Sequence, residues 1–519
     1  MNIITQGLGM RKRDKVLVVG LDGASPDLLF GLAESGALPT LNGIMQGGAY
    51  GTLQSTIPPI TCPAWVSSIT GVNIGKHGIH DFFLSVDINK KRIDFANSNK
   101  IKAKTIWNML SLADKKIVVL NFPVSYPPQE INGAMVSGVL TPSLRSNFTY
   151  PRDLKDELLE LGYEIDVADT NLDEILAFKS DKIRFLSRIR EIVEKRLMAT
   201  KYLMKQLEWD LFIVVFVAPD RIQHLYWRYI DPNHIAYDAE KAKAIYPRIL
   251  ECYVEVDRAI GSLIKLAGKN TKLIVYSDHG FRPLNKTLFT NNLLLQKGFI
   301  KLKRHKRISV TPNQESFVKA ISKLHLEGVV AKLPSRMKRK MRPLLSPSRD
   351  FLGIFDIEPN ETKAFQFGYG FIRINEEALS SEEEYERTRS VIVRLFNEHL
   401  PKALSIRAYK KEDLYNGPRL KDLPDITLMP EKDVTPRQLI TTRNSLIMNY
   451  NEAIDVPSLM WNGDHSLFGV ILMRGSKIGK NCLIRGANIM DVAPTILQLM
   501  NEPVPRYMDG RVIKEAAIQ

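Results

Sequence analysis

Residues 16–22 read VLVVGLD, an apolar run that ends in a carboxylate. A continuous run of about four to eight Val, Ile and Leu residues is typical of a strand covered on both faces, as in a parallel sheet. Four similar runs follow: KIVVLNFP at 116–123, LFIVVFVAP at 211–219, KLIVYS at 272–277 and GVILMRG at 469–475. The sequence therefore predicts an α/β fold with a mostly parallel central sheet and helices on both faces.

Acidic residues and histidines recur at or just after the ends of these runs. They are Asp22, Asp220, His224, Asp278, His279 and, later in the chain, His465. Ligands of open α/β sheets bind outside the carboxyl ends of the strands, so side chains at these positions should converge. A single Asp after a strand more often caps a helix or starts a turn. Three Asp and three His together predict a metal site.

The spacing within two pairs supports a shared cation. Asp220 and His224 are four residues apart, which places both side chains on one face of a helical turn. The alternative is an ordinary helix cap followed by a surface histidine. Asp278 and His279 are adjacent, so they can share a cation only if the backbone turns, and Gly280 would make that turn easy. Mixed carboxylate and imidazole ligands suit zinc, manganese or iron.

A second candidate for chemistry lies in residues 55–83, STIPPITCPAWVSSITGVNIGKHGIHDFF. Pro63 and the apolar spacing after it predict a helix that begins just after Thr61, which puts Thr61 near the N-cap. Backbone N–H groups at such a helix terminus can bind a phosphate. Thr61 could equally be only a capping hydroxyl, because threonine is a poor nucleophile unless a base or a metal deprotonates it.

Several motifs spread over most of the chain match the pattern of one known family. They are VLVVGLDGASPDLL, TCPAW followed by KHGI, NFPVSYPP with INGAMVSGVLTP, APDRIQH, YSDHGF, DHSLFGV and DVAPTILQLMNEPVPRYMDGRV. With these motifs the chain resembles the type I phosphodiesterase and nucleotide pyrophosphatase family of the alkaline phosphatase superfamily. The resemblance implies an alkaline phosphatase-like α/β core with an inserted lid or cap region, and hydrolysis of phosphoric esters.

The resemblance also implies two divalent metal ions, with zinc expected and manganese or iron as alternatives. One ion would be held by Asp22, Thr61, Asp278 and His279, and the other by Asp220, His224 and His465. In such enzymes the two ions bracket a phosphoryl group. Thr61 would then be transiently phosphorylated, and a metal-bound water would hydrolyse the phosphothreonine without a separate general base.

One departure from the family pattern leaves the substrate open. Nucleotide-cleaving members usually carry an Asn shortly after an HGI-like signature, whereas this chain reads HGIHDFF from His77 to Phe83. A phosphodiester or nucleotide pyrophosphate is the first expectation, and a phosphomonoester, a lipid-linked diester or a phosphonate stays open. His77 and Asp81 could equally be structural residues.

Other functions on the same scaffold can be weighed against the residues around Thr61. Sulfatases use Cys or Ser followed by x-Pro-x-Arg, and the matching positions here are Thr61, Pro63 and Trp65. A sulfatase is therefore disfavoured. A phosphomutase, which usually has Ser as its nucleophile, and a non-catalytic peripheral membrane binding protein are kept as alternatives.

The chain of 519 residues exceeds an ordinary single core, and its pattern suggests three segments. We expect the first part of the core at 14–300, an insertion or lid at 301–425, and a second part of the core with His465 at 426–519. Within the insertion, FQFGYGFIRIN at 365–375 alternates apolar and polar residues with glycines. This alternation predicts an antiparallel strand.

Cysteine usage and hydropathy bear on the compartment. The chain has three cysteines, Cys62, Cys252 and Cys482, a sparse and odd count that does not fit a disulfide scaffold. The first apolar run meets Asp22 too soon for a signal peptide, and the longest run is about half of a membrane span. We therefore expect a cytoplasmic protein.

Charge is concentrated in the stretch 301–349, which has 14 Lys or Arg and two acids, and so holds +12 of the net charge of +15. Phe317, Ile321, Leu324 and Val329 within it have roughly helical spacing, which indicates a basic amphipathic element. Contact with an anionic membrane surface or attraction of a polyanionic substrate are the functional interpretations, and a solvated segment is the simpler one. Specific nucleic-acid binding is not expected, because no aromatic series accompanies the charges.

Overall fold

A computed structural model describes residues 14–167, 181–303, 351–401, 404–441, 445–450 and 461–516. Most of the basic stretch 301–349, including its amphipathic pattern, lies outside the described residues. No helix in the described ranges is both long enough and apolar enough to cross a bilayer.

The strands are numbered in chain order. They are β1 Val16–Leu21, β2 Ala49–Gln54, β3 Phe83–Asp87, β4 Arg92–Phe95, β5 Ile117–Phe122, β6 Gly133–Ser137, β7 Thr149–Tyr150, β8 Leu211–Phe216, β9 Lys272–Tyr276, β10 Gly280–Pro283, β11 Lys286–Phe289, β12 Phe351–Leu352, β13 Ala364–Gln366, β14 Phe371–Ile374, β15 Ile406–Lys410, β16 Ile426–Pro430, β17 Val434–Arg437, β18 Ile440–Thr441, β19 Ile447–Asn449, β20 Gly463–Ser466, β21 Phe468–Arg474 and β22 Cys482–Asn488.

The α-helices are numbered in the same way. They are α1 Pro26–Glu34, α2 Pro39–Gly47, α3 Thr61–Thr70, α4 Ile74–His77, α5 Ile106–Leu112, α6 Leu154–Glu160, α7 Lys182–Gln206, α8 Ala218–Ile230, α9 Ala239–Ala267, α10 Thr290–Gln296, α11 Glu382–Glu398, α12 Lys411–Leu414 and α13 Val492–Leu499.

Among the described residues, nine strands form the central sheet, in the order β22-β2-β21-β9-β1-β8-β5-β6-β7. The five consecutive strands from β9 to β6 are parallel to one another. The outer pairs β9–β21, β2–β21 and β6–β7 are antiparallel. The predicted α/β fold with a mostly parallel central sheet is thus confirmed.

Both faces of this sheet are covered, which explains its continuous apolar runs. Leu17 and Val19 of β1 pack in a core cluster with residues of α7, α8 and α9, whereas Val16 and Val18 pack on the other face with α3, α5 and α13. Successive side chains of a strand point to opposite faces, so most positions of a strand buried on both sides are apolar.

The run GVILMRG corrects one expectation about strand direction. It forms most of β21, and its five residues Gly469–Met473 are buried as predicted. However, β21 is antiparallel to both of its neighbours, β9 and β2. An apolar run reports burial of both faces and does not report direction, because side-chain packing is the same for either hydrogen-bond pattern.

A smaller four-stranded sheet, β13-β14-β16-β15, lies later in the chain. The stretch FQFGYGFIRIN, expected to be one antiparallel strand, forms two: β13 and β14 pair as a hairpin, and Phe367, Gly368, Tyr369 and Gly370 lie between them. Both glycines have left-handed backbone conformations, with φ of +81° and +71°. Glycine adopts these conformations easily, and they close the turn. The alternating apolar and polar residues therefore belong to two strands and not to one. The segment bounds at 300 and 425 stay predictions.

Candidate metal centre and nucleophile

The carboxyl ends of β9, β1 and β8, three neighbouring parallel strands, form the floor of the site. Asp22 directly follows β1, and Asp278 follows β9 after one residue. Asp220 and His224 lie in the first two turns of α8, which begins two residues after β8. Because parallel strands end at one edge of a sheet, the predicted residues meet there.

The first group consists of Asp22, Asp278 and His279, whose ligand atoms lie within 4.8 Å of one another. His279 Nε2 is 3.2 Å from Asp278 Oδ2 and 3.7 Å from Asp22 Oδ1. Thr61 Oγ1 is 3.3 Å from the same nitrogen. The adjacent Asp278 and His279 therefore face one point, as the sequence predicted, with the Thr61 hydroxyl beside them.

Gly280 has a different role from the one expected. It opens strand β10 and does not have a left-handed conformation, so it is not needed as a turn residue. An ideal Cβ at this position would lie 2.0 Å from the carbonyl oxygen of Phe468. The glycine is required because two backbones approach closely, which is a tertiary constraint that local turn chemistry does not reveal.

Thr61 is the first residue of α3, and the N-cap position is occupied by Ile60, which makes no side-chain cap. The expectation that Thr61 sits near the N-cap is thus displaced by one residue, and its hydroxyl does not cap the helix. Its side chain is 6% exposed. With the capping role removed, the Thr61 hydroxyl is available to the site next to the positive end of the helix dipole.

The second group consists of Asp220, His224 and His465. His224 Nε2 is 3.3 Å from Asp220 Oδ1, which confirms that the two residues share a helix face. His465 Nε2 is 3.1 Å from His224 Nε2 and 3.6 Å from Asp220 Oδ1. His465 comes from β20, which pairs with β10 so that His465 is opposite Phe281. This pairing brings a ligand from far along the chain into the site.

The two groups adjoin each other. The rings of His279 and His465 stack with their centroids 3.7 Å apart. All six residues are between 0% and 7% exposed. The six scattered side chains predicted from the sequence therefore form one buried, bipartite cluster.

The three histidines are oriented in the same way by backbone carbonyl oxygens. His224 Nδ1 is 3.0 Å from Gly463 O, His279 Nδ1 is 3.1 Å from Gly280 O and His465 Nδ1 is 2.9 Å from Pro59 O. A carbonyl oxygen can only accept, so each Nδ1 carries the hydrogen. In a neutral imidazole the lone pair is then on Nε2, the atom that faces the cluster, as in histidines that bind metals.

The electrostatic environment differs between the carboxylates of the two groups. Burial, together with the charges of Asp278 and Asp220, raises the pKa of Asp22 well above its ordinary value, and burial likewise raises the pKa of Asp278. Burial alone would raise the pKa of Asp220, but the adjacent His224 and His465 hold this pKa well below its ordinary value. Within the described part of the chain, Asp22 Oδ1, Asp220 Oδ1 and Asp278 Oδ2 have no hydrogen-bond partner.

The donor set fits divalent cations. Two ligand atoms of one tetrahedral zinc ion, each about 2.0 Å from the metal, lie about 3.3 Å apart. The second group shows separations of 3.1, 3.3 and 3.6 Å, and the first shows 3.2, 3.3 and 3.7 Å around His279 Nε2. Two imidazole lone pairs 3.1 Å apart repel each other unless a cation lies between them.

His77 does not join the cluster. Its Nδ1 accepts from the backbone N–H of Ile79 at 3.1 Å, so Nε2 carries the hydrogen and donates to Ser67 Oγ at 2.9 Å. Burial lowers the pKa of His77 to about 3. Asp81 accepts from the backbone N–H groups of Phe82 and Tyr369, and burial raises its pKa to about 6. Both residues make structural contacts.

Aromatic and charged residues around the second group were missed in the sequence. Trp461 stacks on His224 with ring centroids 3.8 Å apart, and Tyr369 stacks on His465 at 5.8 Å. Asp464 pairs with Arg282. Asp464 directly precedes His465, and Tyr369 lies between two glycines in a stretch that was expected to be one strand. Neither pattern indicates a contact with the cluster without the strand pairing.

Comparisons with known proteins identify the family of this chain. A family model described as type I phosphodiesterase / nucleotide pyrophosphatase matches residues 16–443. A comparison with curated proteins gave no significant match.

Solved structures share the fold. Phosphonoacetate hydrolase from Sinorhizobium meliloti 1021, in complex with phosphonoformate, matches with a TM-score of 0.55 at 14% identity over 94% of this chain and 95% of that one. An inactive murine ectonucleotide pyrophosphatase / phosphodiesterase 5 in complex with AMP matches with a TM-score of 0.51 at 14% identity over 96% and 97%. The human counterpart gives 0.52 at 14% identity over 96% and 97%. The expected alkaline phosphatase-like fold is confirmed.

Proposed function

Because this chain belongs to the type I phosphodiesterase / nucleotide pyrophosphatase family, and so is a phosphoric-ester hydrolase of the alkaline phosphatase superfamily, we propose that it cleaves phosphodiesters through a phosphothreonine at Thr61. Enzymes of this family depend on divalent metal ions. The buried cluster offers ligands for such ions, and the Thr61 hydroxyl lies beside it.

Two metal ions would be held by the two groups of the cluster. Asp22, Asp278, His279 and the Thr61 hydroxyl form one ligand set, and Asp220, His224 and His465 form the other. Mixed nitrogen and oxygen donors, three imidazoles among them, favour zinc, with manganese or iron as alternatives. When bound, such ions lower the pKa of a hydroxyl or water and neutralise charge on a phosphoryl group.

Thr61 would act as the nucleophile. Its Oγ1 gives up its proton to solvent and attacks phosphorus, so that a new O–P bond forms while the bond from phosphorus to the leaving group breaks in line with it. The leaving oxygen takes up a proton from solvent and departs as an alcohol. The phosphothreonine formed from a diester still carries the second ester group. Water then attacks its phosphorus and loses a proton to solvent, the bond from phosphorus to Oγ1 breaks, and Oγ1 is reprotonated. This step returns the Thr61 hydroxyl and releases a phosphate monoester. Each step inverts the configuration at phosphorus, so the net result is retention. No other side chain is assigned as a general base.

One observation carries this proposal. Backbone carbonyls hold the Nδ1 hydrogens of three histidines, so three Nε2 lone pairs and three unpartnered carboxylate oxygens of the described residues converge in one buried volume. Such an arrangement costs several kcal/mol without a cation, because buried polar atoms lose their water. The Thr61 hydroxyl lies at the edge of this volume.

The substrate proposal is a diester or a nucleotide pyrophosphate. The missing Asn after the HGI signature argues against assigning nucleotide specificity. The complexes of the structural neighbours hold AMP in one case and phosphonoformate in the other. Both molecules have a phosphorus-centred anionic group, and a panel of diesters, monoesters, nucleotide pyrophosphates and phosphonates would separate the possibilities.

The test is hydrolysis of bis(4-nitrophenyl) phosphate by the full chain with Zn²⁺ or Mn²⁺. We expect Thr61→Ala to lower kcat by at least about 10³-fold, since it removes the nucleophile. The metal content should be largely retained, because the carboxylate and imidazole ligands remain. Thr61→Ser keeps a hydroxyl and is the matched control, with part of the activity preserved. Equal turnover by wild-type protein and Thr61→Ala would contradict the nucleophile assignment.

The location of the protein and its contacts with other partners stay predictions. The expectation of a cytoplasmic protein is supported by the sparse cysteines. Contact of the basic stretch 301–349 with an anionic membrane surface is likewise a prediction, supported by its charge of +12.

A further inference from the structure

The turn of the β13–β14 hairpin reaches the second metal group from the smaller sheet. The ring of Tyr369 is nearly parallel to that of His465, with an interplanar angle of 20° and centroids 5.8 Å apart. Its hydroxyl donates to Asp464 Oδ2 at 2.8 Å. Tyr369 thus contacts both the ligand and the residue just before it.

Asp464 connects this contact to the backbone of the ligand strand. Its Oδ2 also accepts from Arg282 Nη2 at 3.1 Å, and Arg282 Nε donates to the carbonyl oxygen of His465 at 2.9 Å. Arg282 and Asp464 are opposite each other in the β10–β20 pair. The hydroxyl of Tyr369 therefore completes a chain of hydrogen bonds that returns to His465.

The turn is itself held in place by the core. The N–H of Tyr369 donates to Asp81 Oδ2 at 2.7 Å, and the N–H of Gly368 donates to Gln438 Oε1 at 2.8 Å. An ideal Cβ at residue 368 would lie 2.0 Å from Asp81 Oδ2. Hydrogen bonds from the backbone of Gly368 and of Tyr369 thus fix the position of Tyr369. A residue can orient a neighbouring side chain only if its own position is fixed.

We propose that Tyr369 is a positioning residue that orients His465, through ring stacking and through Asp464, for the metal ion of the second group. The inference rests on the proposed function. Residues that orient a metal-binding histidine affect metal affinity by about 10- to 100-fold when they are removed. By this inference the smaller sheet completes the metal centre, and its role is not limited to covering it.

The experiment compares wild-type protein with Tyr369→Phe and Tyr369→Ala in titrations with Zn²⁺ alone, in competition with a chromophoric chelator. We expect Tyr369→Phe to bind two Zn²⁺, one with wild-type affinity and one about tenfold more weakly, because only the hydroxyl is lost. Tyr369→Ala should weaken the same ion further. In diester hydrolysis at saturating Zn²⁺, kcat should fall while KM changes little.

Tyr385→Phe is the matched control. It also removes a tyrosine hydroxyl that donates to a buried carboxylate, but the acceptor is Asp425 Oδ1, at 2.6 Å, and not Asp464. It should leave both Zn²⁺ affinities unchanged. A double-mutant cycle of Tyr369→Phe with Asp464→Ala tests the route: the effects on Zn²⁺ affinity should be strongly non-additive, because both changes remove one hydrogen bond.

The outcomes are distinguishable. If wild-type protein binds two Zn²⁺ and Tyr369→Phe and Tyr369→Ala bind both with wild-type affinity, the positioning role is overturned and the proposed function stands. Additive effects in the cycle would overturn the route through Asp464. If wild-type protein binds no Zn²⁺ at the six ligands, both proposals fail.

Discussion

At the scale of single residues, the role of a buried histidine is set by the atom that its Nδ1 meets. In His224, His279 and His465, Nδ1 faces a carbonyl oxygen, which leaves the Nε2 lone pair directed into the cluster. In His77, Nδ1 accepts from an N–H, so Nε2 is a donor and is occupied by Ser67. Histidines that look equivalent in the sequence therefore differ in the atom that stays available: Nε2 can bind a metal ion in the three histidines of the cluster, whereas both ring nitrogens of His77 are used in hydrogen bonds.

The structural histidine leads to a prediction on pH and stability. Burial lowers the pKa of His77 to about 3, from an ordinary value of 6.5. Between these values the unfolded chain binds a proton that the folded chain does not, so this contribution to stability is full above about pH 6.5 and is lost as the pH falls. At about pH 5 the loss should be about 2 kcal/mol.

The measurement is urea unfolding of wild-type protein and His77→Gln at about pH 7.5 and about pH 5, both with a metal chelator. The free energy of unfolding of the wild type should fall by about 2 kcal/mol more than that of the variant over this range. Parallel pH dependences of the two proteins would show that folding does not lower the pKa of His77.

At the scale of elements, the site depends on where short strands approach the central sheet. Strand β10 carries Gly280 directly after His279 and pairs with β20, the strand of His465. The close approach of Phe468 O to Gly280 brings β10 against the start of β21. The same pair of short strands thus places one residue of each group, His279 of the first and His465 of the second.

Gly280→Ala tests this approach. We expect a loss of about 2 kcal/mol or more in the free energy of unfolding, because the added Cβ would overlap a backbone oxygen that can move only with its strand. The matched control is Gly31→Ala in helix α1, where a Cβ has open space. This control should raise stability by about 0.5 to 1 kcal/mol, since alanine favours helix.

Denaturant unfolding of both variants gives the two changes in the free energy of unfolding. We expect a decrease for Gly280→Ala and an increase for Gly31→Ala. If Gly280→Ala were as stable as wild-type protein, the backbone contact would not constrain the position of β10.

At the scale of the whole molecule, the two groups of candidate metal ligands bring together residues from distant parts of the chain. Their ligands run from Asp22 to His465 and come from the ends of β1 and β9, from α8 and from β20. Without cations these residues place three carboxylates and three imidazoles in one buried volume, which opposes folding. Metal ions that bind only the folded chain should therefore stabilise it as a whole.

We expect saturating Zn²⁺ to raise the free energy of unfolding by about 3 kcal/mol or more over the value with EDTA, if the free ion exceeds its Kd by about 100-fold. Thermal unfolding with and without Zn²⁺ provides the measurement. The double variant His224→Ala/His465→Ala should lose part of the gain, while His399→Ala, which removes an exposed histidine, should keep all of it. A gain of equal size in the two variants would exclude the second group as its source.

Much of the site was predictable because its signals are local. Asp22, Asp220, Asp278 and their neighbouring histidines follow apolar runs, and the carboxyl ends of parallel strands meet by the geometry of the sheet. The i, i+4 spacing of Asp220 and His224 likewise follows from a single helix. The helix that was predicted to begin just after Thr61 begins at Thr61 itself, one residue earlier. Thr61 is therefore not the N-cap of this helix.

Local patterns in the chain were enough to predict that the strands are buried on both faces and that Asp22, Asp220, His224, Asp278 and His279 lie at their carboxyl ends, since apolar runs and helical spacing are read from consecutive residues. The antiparallel direction of β21, the close approach at Gly280 and the contact of Tyr369 with His465 became known from the folded arrangement alone. These features depend on the pairing of strands far apart in the sequence. No local pattern records which distant backbone a residue will meet, because burial and alternation are the same for many different partners.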